Sequence, residues 1–422
     1  MIKGEKVRFD IHNILFSINK FNKTLNDYSI KKTIDQHNKE DLSFLYNVTL
    51  NSMRFNYHCL KIINKFINKK LRDHERILLI SAITQIVFLD FKEYAVINCS
   101  VEIAKKLRLH SGLINASLKK IAKNKLELSK IKIEYDDLPN WLLKKTFSLS
   151  LDEKDKFINN FYKEPHLHIE FKDKEKLNNF EDDLIKTSNV SGFLINKKDI
   201  KNKKSFNRGY WWVQDFSSFF PLYNLKIEYK NKKILDACAA PGGKSFQLLS
   251  QNHNVILNDK NKIRIQTLRT NLERLKFNNK ILNKDFTKFD EKERYDIIII
   301  DAPCSAIGTI RKNPEILFKK KGPNFKKLIY LQERMLEKAS ILLNKDGYII
   351  YMTCSFLEIE TIGQINKFIK KNKNFLINNF KLKRDNINYS KLIKDNFIIN
   401  LPDSINNNNI DGYFAACLKK IR

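Results

Sequence analysis

The chain lacks any cysteine pair spaced for a metal: its six cysteines, Cys59, Cys99, Cys238, Cys304, Cys354 and Cys417, include no C-x-x-C. No metal is expected, and a reducing cytoplasm suits them. Met1 to Asp10 is charged and has no apolar core of signal-peptide type. Long hydrophobic runs are missing as well. The longest, Ile77 to Leu89, is interrupted by Ser81, Thr84 and Gln85 and is too short to cross a bilayer. The expectation is a cytoplasmic chain with no membrane partner. Acidic residues are few beside basic ones, since 78 Lys and Arg against 47 Asp and Glu leave a net charge of +31. Such an excess suits a polyanion, but most of it is lysine in a sequence biased towards Asn, Ile and Lys. Charge alone therefore speaks of non-specific binding and not of fold. Two nucleotide signatures are absent too: neither the G-x-G-x-x-G of dinucleotide sites nor the G-x-x-x-x-G-K-[ST] of a P-loop occurs.

What is present is a third kind of glycine-rich turn. Ile234 to Ser245 reads Ile-Leu-Asp-Ala-Cys-Ala-Ala-Pro-Gly-Gly-Lys-Ser, an apolar strand that ends in an acidic residue and a glycine-rich turn. A Rossmann-like domain cradles a nucleotide-type cofactor in this way, and the missing signatures point to a different adenosine-containing ligand. Ile297 to Ile300 reads as a strand buried on both faces, delivering Asp301-Ala302-Pro303-Cys304 at its carboxyl end. The apolar strand Gly347 to Met352 delivers Thr353-Cys354-Ser355. Ligands of open α/β sheets bind outside the carboxyl ends of the strands, so these three loops should share one crevice.

A chain of 422 residues with 42% apolar content can build two or three domains. Residues 1–130 read as all-α. From Asp41, a plausible amino-terminal cap, Leu42, Leu45, Tyr46, Leu50, Met53, Tyr57 and Leu60 stripe one helical face. Further helices are expected at Val7 to Ile18, His74 to Leu89, Tyr94 to Leu107 and Gly112 to Ala122. Residues 138–230 read as a small α+β module, with strands Leu167 to Phe171 and Gly192 to Ile195 and helical pieces Lys154 to Tyr162 and Lys176 to Leu184. Within it, Lys201 to Lys204 is either a solvated loop or a phosphate clamp, and Trp211 and Trp212 are either packing anchors or base-stacking rings. Residues 231–422 alternate strand and helix, with strands at Lys233 to Ala237, Val255 to Asn258, Lys280 to Asn283, Ile297 to Ile300, Gly347 to Met352, Phe397 to Asn400 and Tyr413 to Leu418. That alternation gives a mainly parallel sheet covered by helices.

On the Cys238 to Lys244 segment, the Asp301 to Cys304 and Thr353-Cys354 motifs, and the closing Asp411-Gly412-Tyr413-Phe414, the chain resembles the Fmu/Sun/RsmB-type RNA (cytosine-5)-methyltransferases. The likeness is densest from about residue 205 onward. Ala95 to Asn98 and Gly112 to Ala116 extend it to the NusB-like RNA-binding domain that precedes the catalytic part in bacterial members. The resemblance implies an all-α NusB-like amino-terminal domain, an RNA-recognition-like linker module, and a Rossmann-like methyltransferase whose last strand runs antiparallel. It also implies S-adenosyl-L-methionine as cofactor and 16S ribosomal RNA as partner, with a monomer favoured. A transfer-RNA cytosine-5 methyltransferase and a non-catalytic RNA-binding factor are the alternatives. The family's Pro-x-x-Leu-Arg-x-Asn stretch is altered, with His168 and Glu170 in place of Arg and Asn. Ile307 stands where threonine is common, and Glu358-Ile359-Glu360-Thr361 replaces Pro-Glu-Glu-Asn.

Carbon 5 of cytosine is a poor nucleophile. A thiolate that adds to carbon 6 turns carbon 5 into an enamine-like centre able to accept a methyl group, so the reaction demands an activated cysteine. Chemistry leaves Cys304 and Cys354 open. By resemblance Cys354 attacks and Cys304 helps to release the product. Asp301 is placed to donate to ring nitrogen 3, and Lys244 is a structural lysine, a cofactor-loop lysine or a group near the reacting base. The cofactor is expected on Cys238, Ala239, Ala240, Pro241, Gly242, Gly243 and Lys244. Asp259, 23 residues after Asp236, suits the ribose, Asp285 suits the adenine amino group, and Asp301 completes the acidic series. Arg311 is a candidate for an RNA phosphate.

Overall fold

The computed structural model describes residues 4–195 and 200–421. The chain packs into two compact units, Met1–Tyr162 with Ile310–Pro323, and Lys163–Thr309 with Asn324–Arg422.

The first unit is helical. Its main helices are Glu5–Phe21, Lys39–Arg54, Asn56–Phe66, Asp73–Ile83, Glu93–Lys106 and Ser111–Lys123. Residues at steps of three and four supply one shared core that includes Ile11, Leu15, Ile18, Leu45, Val48, Ile62, Ile77, Ile83, Val96, Ile114 and Leu118. Each of these side chains contributes roughly 1.5–3 kcal/mol by leaving water. The stripe that starts at Asp41 is carried by two helices. The first is capped by Asn38, whose side chain accepts from the Asp41 amide, and it ends at Phe55, whose ring stacks on Phe88 at 4.3 Å. The stretch expected as His74 to Leu89 turns into a π-helical segment at Thr84–Phe88. The segment 310–323 lies far along the sequence from these helices and still packs on them. Tyr57 Oη donates to the Leu317 carbonyl at 2.8 Å, Asn19 Nδ2 to that of Phe318 at 2.6 Å, and Arg54 Nη2 to that of Arg311 at 3.0 Å. Arg311 is fully buried, which corrects its assignment to an RNA phosphate.

The second unit opens with an antiparallel sheet of β1 (Leu167–Phe171), β2 (Leu184–Lys186), β3 (Ser191–Leu194) and β4 (Trp211–Val213), in the order β2-β3-β1-β4. Period-two alternation sends Ile169 and Phe171 into a small core with Leu177, Leu194 and Trp211. The expected helix at Lys176 to Leu184 is instead a short helix, Lys174–Asn178, and Leu184 begins β2. Trp211 and Trp212 are packing anchors: both are buried, with indole nitrogens donating to Ser205 Oγ and Gln214 Oε1, each at 2.8 Å. Lys201 and Lys204 are exposed and Lys203 pairs with Asp182, as a solvated loop requires.

The main sheet contains β5 (Ile234–Asp236), β6 (Val255–Asn258), β7 (Ile281–Leu282), β8 (Tyr295–Asp301), β9 (Leu343–Thr353), β10 (Phe375–Asn378), β11 (Ile393–Lys394), β12 (Phe397–Asn400) and, after a hairpin of β13 (Asp403–Ile405) and β14 (Asn408–Ile410), β15 (Tyr413–Lys420). Its order is β11-β12-β15-β9-β8-β5-β6-β7, with β10 also on β15. Strands β5 to β9 are parallel, and β15 runs antiparallel to β9, pairing Phe414 with Thr353 and Leu418 with Ile349. The isoleucine run of β8 is explained by its central place. Ile297 and Ile299 join the core on one face, and Ile298 and Ile300 the core on the other.

On the face of β1 opposite its small core, His168 and Glu170 are buried, so the altered Arg and Asn positions point inward. His168 Nδ1 lies 3.2 Å from Asp215 Oδ2, and its other ring nitrogen meets Asn408 Oδ1 at 2.5 Å. Neither carboxyl oxygen of Glu170 finds a hydrogen-bond partner among the described residues. Burial and, second, the neighbouring Asp215 push its carboxyl well above the ordinary range. A group raised in the folded state gives its full stability below its unfolded pKa and loses it as pH rises towards the folded value. Glu170→Gln should therefore flatten the fall in unfolding free energy as pH rises above the ordinary carboxylate range, read by guanidinium titration at each pH. Parallel falls in the two proteins would show that Glu170 carries no such linkage.

Candidate active site

The carboxyl ends of β5, β6, β8 and β9 meet at one crevice, as the sequence requires. The turn after β5 is closed from within. Asp236, buried at the strand end, accepts from Ser245 Oγ at 2.6 Å and from the Cys238 amide at 3.3 Å. Burial pushes its carboxyl up to about 6 despite the Ser245 bond, so Asp236 acts as the internal tie of the turn. Gly242 has φ +123°, and a Cβ there would meet the Phe246 ring at 1.9 Å. Only glycine fits that position. Asn258 Nδ2 then donates to the carbonyls of Ala237 (3.0 Å) and Lys284 (3.1 Å), tying the turn to the loops after β6 and β7.

Between these loops lies a cavity of about 220 Å³ lined by Cys238, Asp259, Asn261, Asp285, Phe286, Pro303, Leu331 and Met335 among others. Asp259 Oδ1 accepts from the Asn261 amide at 2.9 Å, whereas its buried Oδ2 has no hydrogen-bond partner among the described residues and lies 3.6 Å from the Arg264 guanidinium. A carboxylate oxygen held only by a long ion pair is one that a ligand diol would satisfy. Asp285 accepts from Thr287 Oγ1 at 2.8 Å and from its amide at 3.1 Å. Burial works to raise its carboxyl, but those two bonds outweigh burial and hold it below the ordinary range. The Cys238 thiol is pushed up by burial and then by Asp236, so it belongs to the wall as a neutral group.

Next to this cavity the reacting groups gather. Cys304 Sγ and Cys354 Sγ are 3.3 Å apart, both partly exposed. Contact with Cys354 and, second, burial push the Cys304 thiol well up. Lys244 Nζ is 2.8 Å from Asp301 Oδ2 and 3.2 Å from Ser218 Oγ. Tyr413, on β15, places its ring under the Lys244 ammonium at 5.5 Å and its hydroxyl 3.5 Å from Asp301 Oδ1. The close approach of Gly308 to Gly412 joins the loops. A Cβ on Gly308 would lie 1.9 Å from the Gly412 carbonyl oxygen. The Gly308 amide donates to the Cys354 carbonyl at 3.0 Å, and the Gly412 amide to that of Gly308 at 2.8 Å.

The structure thus brings Lys244, Asp301, Cys304 and Cys354 to one point, and Cys238, Asp259 and Asp285 to the cavity beside it. Ala239, Ala240, Pro241, Gly242 and Gly243 form the turn between, with a cis bond at Ala240-Pro241. Sequence reading did not single out Ser218, Tyr413, Gln332 or Glu360. Tyr413 and Ser218 sit inside or just after recognisable motifs, but only the return of β15 beside β9 shows that they reach the site.

Comparison with known proteins agrees with this geometry. Residues 223–419 match the family 16S rRNA methyltransferase RsmB/F, and residues 6–123 match the NusB family. The chain is 28% identical to ribosomal RNA small subunit methyltransferase B of Photorhabdus laumondii over 337 residues, 74% of this chain and 77% of that protein. It is 34% identical to the 25S rRNA (cytosine-C(5))-methyltransferase nop2 of Schizosaccharomyces pombe, covering 50% of this chain and 37% of that one. In fold it is similar to the crystal structure of PH0851, with a TM-score of 0.71 at 19% identity across 99% of this chain and 98% of that one. Residues 223–419 therefore belong to the RsmB/F family of S-adenosylmethionine-dependent RNA (cytosine-5)-methyltransferases, and residues 6–123 ahead of them to the NusB family.

Proposed function

We propose that this methyltransferase is cytoplasmic and modifies a cytosine of 16S ribosomal RNA through a covalent adduct with Cys354. The observation that carries the two-cysteine reading is the 3.3 Å contact between Cys304 and Cys354 beside the Lys244–Asp301 pair. The substrate reading is supported by the NusB match at residues 6–123 together with relatives named as small-subunit methyltransferases. The division into residues 1–130, 138–230 and 231–422 belongs to the same proposal: an RNA-binding helical domain, an RNA-recognition-like module and the catalytic domain.

S-adenosylmethionine, when bound, supplies an electrophilic methyl group. The cavity residues fit it. The Asp259 oxygen that faces Arg264 suits ribose hydroxyls, Asp285 suits the adenine amino group, and the Cys238 to Lys244 turn lines the remainder. In the reaction the Cys354 thiolate adds to carbon 6 of the base, and the carbon 5–carbon 6 electron pair becomes available at carbon 5 for methylation. The Lys244–Asp301 pair holds a proton for ring nitrogen 3 as charge builds there. Loss of the carbon 5 proton to a base restores the double bond and expels the thiolate, a step in which Cys304 assists. Its thiol lies in contact with the Cys354 sulfur, where it can meet the departing thiolate. The target base must leave its stack to reach these atoms.

Cys354→Ala should abolish methylation, while Cys304→Ala should retain a denaturant-resistant protein–RNA adduct on gel electrophoresis. Exchange of these two phenotypes would reverse the roles. Asp259→Ala should weaken S-adenosylmethionine binding by about 10- to 100-fold in calorimetry, since about 1.4–3 kcal/mol of charge-assisted hydrogen bonding is lost. Unchanged affinity would remove Asp259 from the ribose site. Incubation of labelled cofactor with unmodified 16S ribosomal RNA and with transfer RNA, followed by nucleoside analysis, should give 5-methylcytosine in the ribosomal RNA alone. Label in transfer RNA would overturn the substrate assignment.

A further inference from the structure

Glu360 takes no part in the chemistry described above, yet it touches the residue that follows each cysteine. Its carboxylate is fully buried and accepts four hydrogen bonds. Oε1 accepts from the Ser305 amide at 2.8 Å and from Gln332 Nε2 at 3.2 Å. Oε2 accepts from Ser305 Oγ at 2.5 Å and from Ser355 Oγ at 2.7 Å. Its own backbone is held as well, because Tyr351 Oη on β9 donates to the Glu360 carbonyl at 3.0 Å. Gln332 in turn donates to the Pro303 carbonyl at 2.9 Å and accepts from Gln364 Nε2 at 3.1 Å. One carboxylate therefore spans the loop after β8 and the loop after β9, one residue beyond Cys304 and one beyond Cys354.

We propose that Glu360 is a positioning residue for product release, clamping Ser305 and Ser355 so that the Cys304 thiol stays in register with the sulfur of Cys354. The inference rests on the two-cysteine reading. Two features separate it from a merely structural buried acid. The clamp is asymmetric: Ser305 gives both its amide and its hydroxyl, whereas Ser355 gives only its hydroxyl. Cys304 thus depends on Glu360 more than Cys354 does. The other link between the two loops, the Gly308 amide donating to the Cys354 carbonyl at 3.0 Å, falls on Cys354 itself but four residues beyond Cys304. The Glu360 charge also adds, after Cys354 contact and burial, to the forces that keep the Cys304 thiol protonated. An amide in place of the carboxylate keeps one acceptor oxygen, and its nitrogen can meet the two serine hydroxyls only if they turn to accept, so two charge-assisted hydrogen bonds become neutral ones and the clamp weakens on that side.

The test compares the wild-type enzyme, Glu360→Gln, Ser305→Ala, Cys304→Ala and Cys354→Ala in single-turnover methylation, steady-state turnover and adduct recovery after denaturation. Glu360→Gln should lower kcat by at least about tenfold, with KM for RNA unchanged and covalent adduct accumulating. Ser305→Ala, which deletes one of the four bonds without disturbing the carboxylate, should show the same signature more weakly. Unchanged turnover in Glu360→Gln would overturn the proposal, and so would loss of turnover without adduct in Ser305→Ala. Should Cys304→Ala itself accumulate no adduct, the two-cysteine reading has failed first and the clamp falls with it. An adduct in Cys304→Ala but not in either clamp variant refutes the clamp alone.

Discussion

Two stretches of backbone meet at Gly308 and Gly412 more closely than any side chain would allow, and the geometry of the active site depends on that meeting. The loop after β8 carries Cys304, the loop after β9 carries Cys354, and β15 carries Tyr413; each could vary separately without harm to the sheet. Amide bonds from Gly308 to Cys354 and from Gly412 to Gly308 convert three loops into one body. Once they are joined, the backbones that carry the two sulfurs, 3.3 Å apart, are held together, and Glu360 adds its link through Ser305 and Ser355. The antiparallel return of β15 beside β9 is what delivers Gly412 to this place.

Charge is arranged differently inside the crevice and over the whole chain. The sequence carries a net charge of +31, which favours encounter with a polyanion of any sequence. Around the crevice acids and bases are mixed: Asp259 and Asp285 stand among Lys260, Arg264 and Lys284, Lys244 is bonded to Asp301, and Asp236 is buried behind the turn. Each acid has a distinct duty set by its partners. Asp236 is consumed by Ser245 and the Cys238 amide, Asp285 by Thr287, and Asp301 by Lys244, while one oxygen of Asp259 is left without a hydrogen bond. The net charge thus favours encounter with a polyanion, whereas the crevice sets acids against bases at close range.

Much of this was legible in the sequence alone. The isoleucine run of β8 had to be a central strand, because no other environment buries both faces of four consecutive large residues. The strand-end positions of Asp236, Asp259, Cys304 and Cys354 followed from strand and turn signals, and their convergence from the general behaviour of parallel sheets. The misses share a physical cause. Asn38 displaced Asp41 as the cap because both residues can cap, and the choice depends on where the chain enters the helix. The stretch from Lys176 to Leu184 has helical composition, but pairing with β3 captured Leu184 as a strand. Arg311 looked like a phosphate ligand because basic loop residues usually face water; in the fold it is packed away with the helical unit, in contacts more than 250 residues distant in sequence. Glu360, Ser218 and Tyr413 could not be placed at the site from local pattern, since each reaches it only through tertiary packing.

The mechanism turns on which sulfur bonds to the base. RNA containing 5-fluorocytosine at the target position would accept the thiolate and the methyl group but could not lose fluorine as a cation, so the enzyme should remain attached. Digestion and mass spectrometry of that complex should place the nucleotide on the peptide containing Cys354. A nucleotide on the Cys304 peptide would contradict the assignment of the nucleophile, and with it the division of roles between the two cysteines.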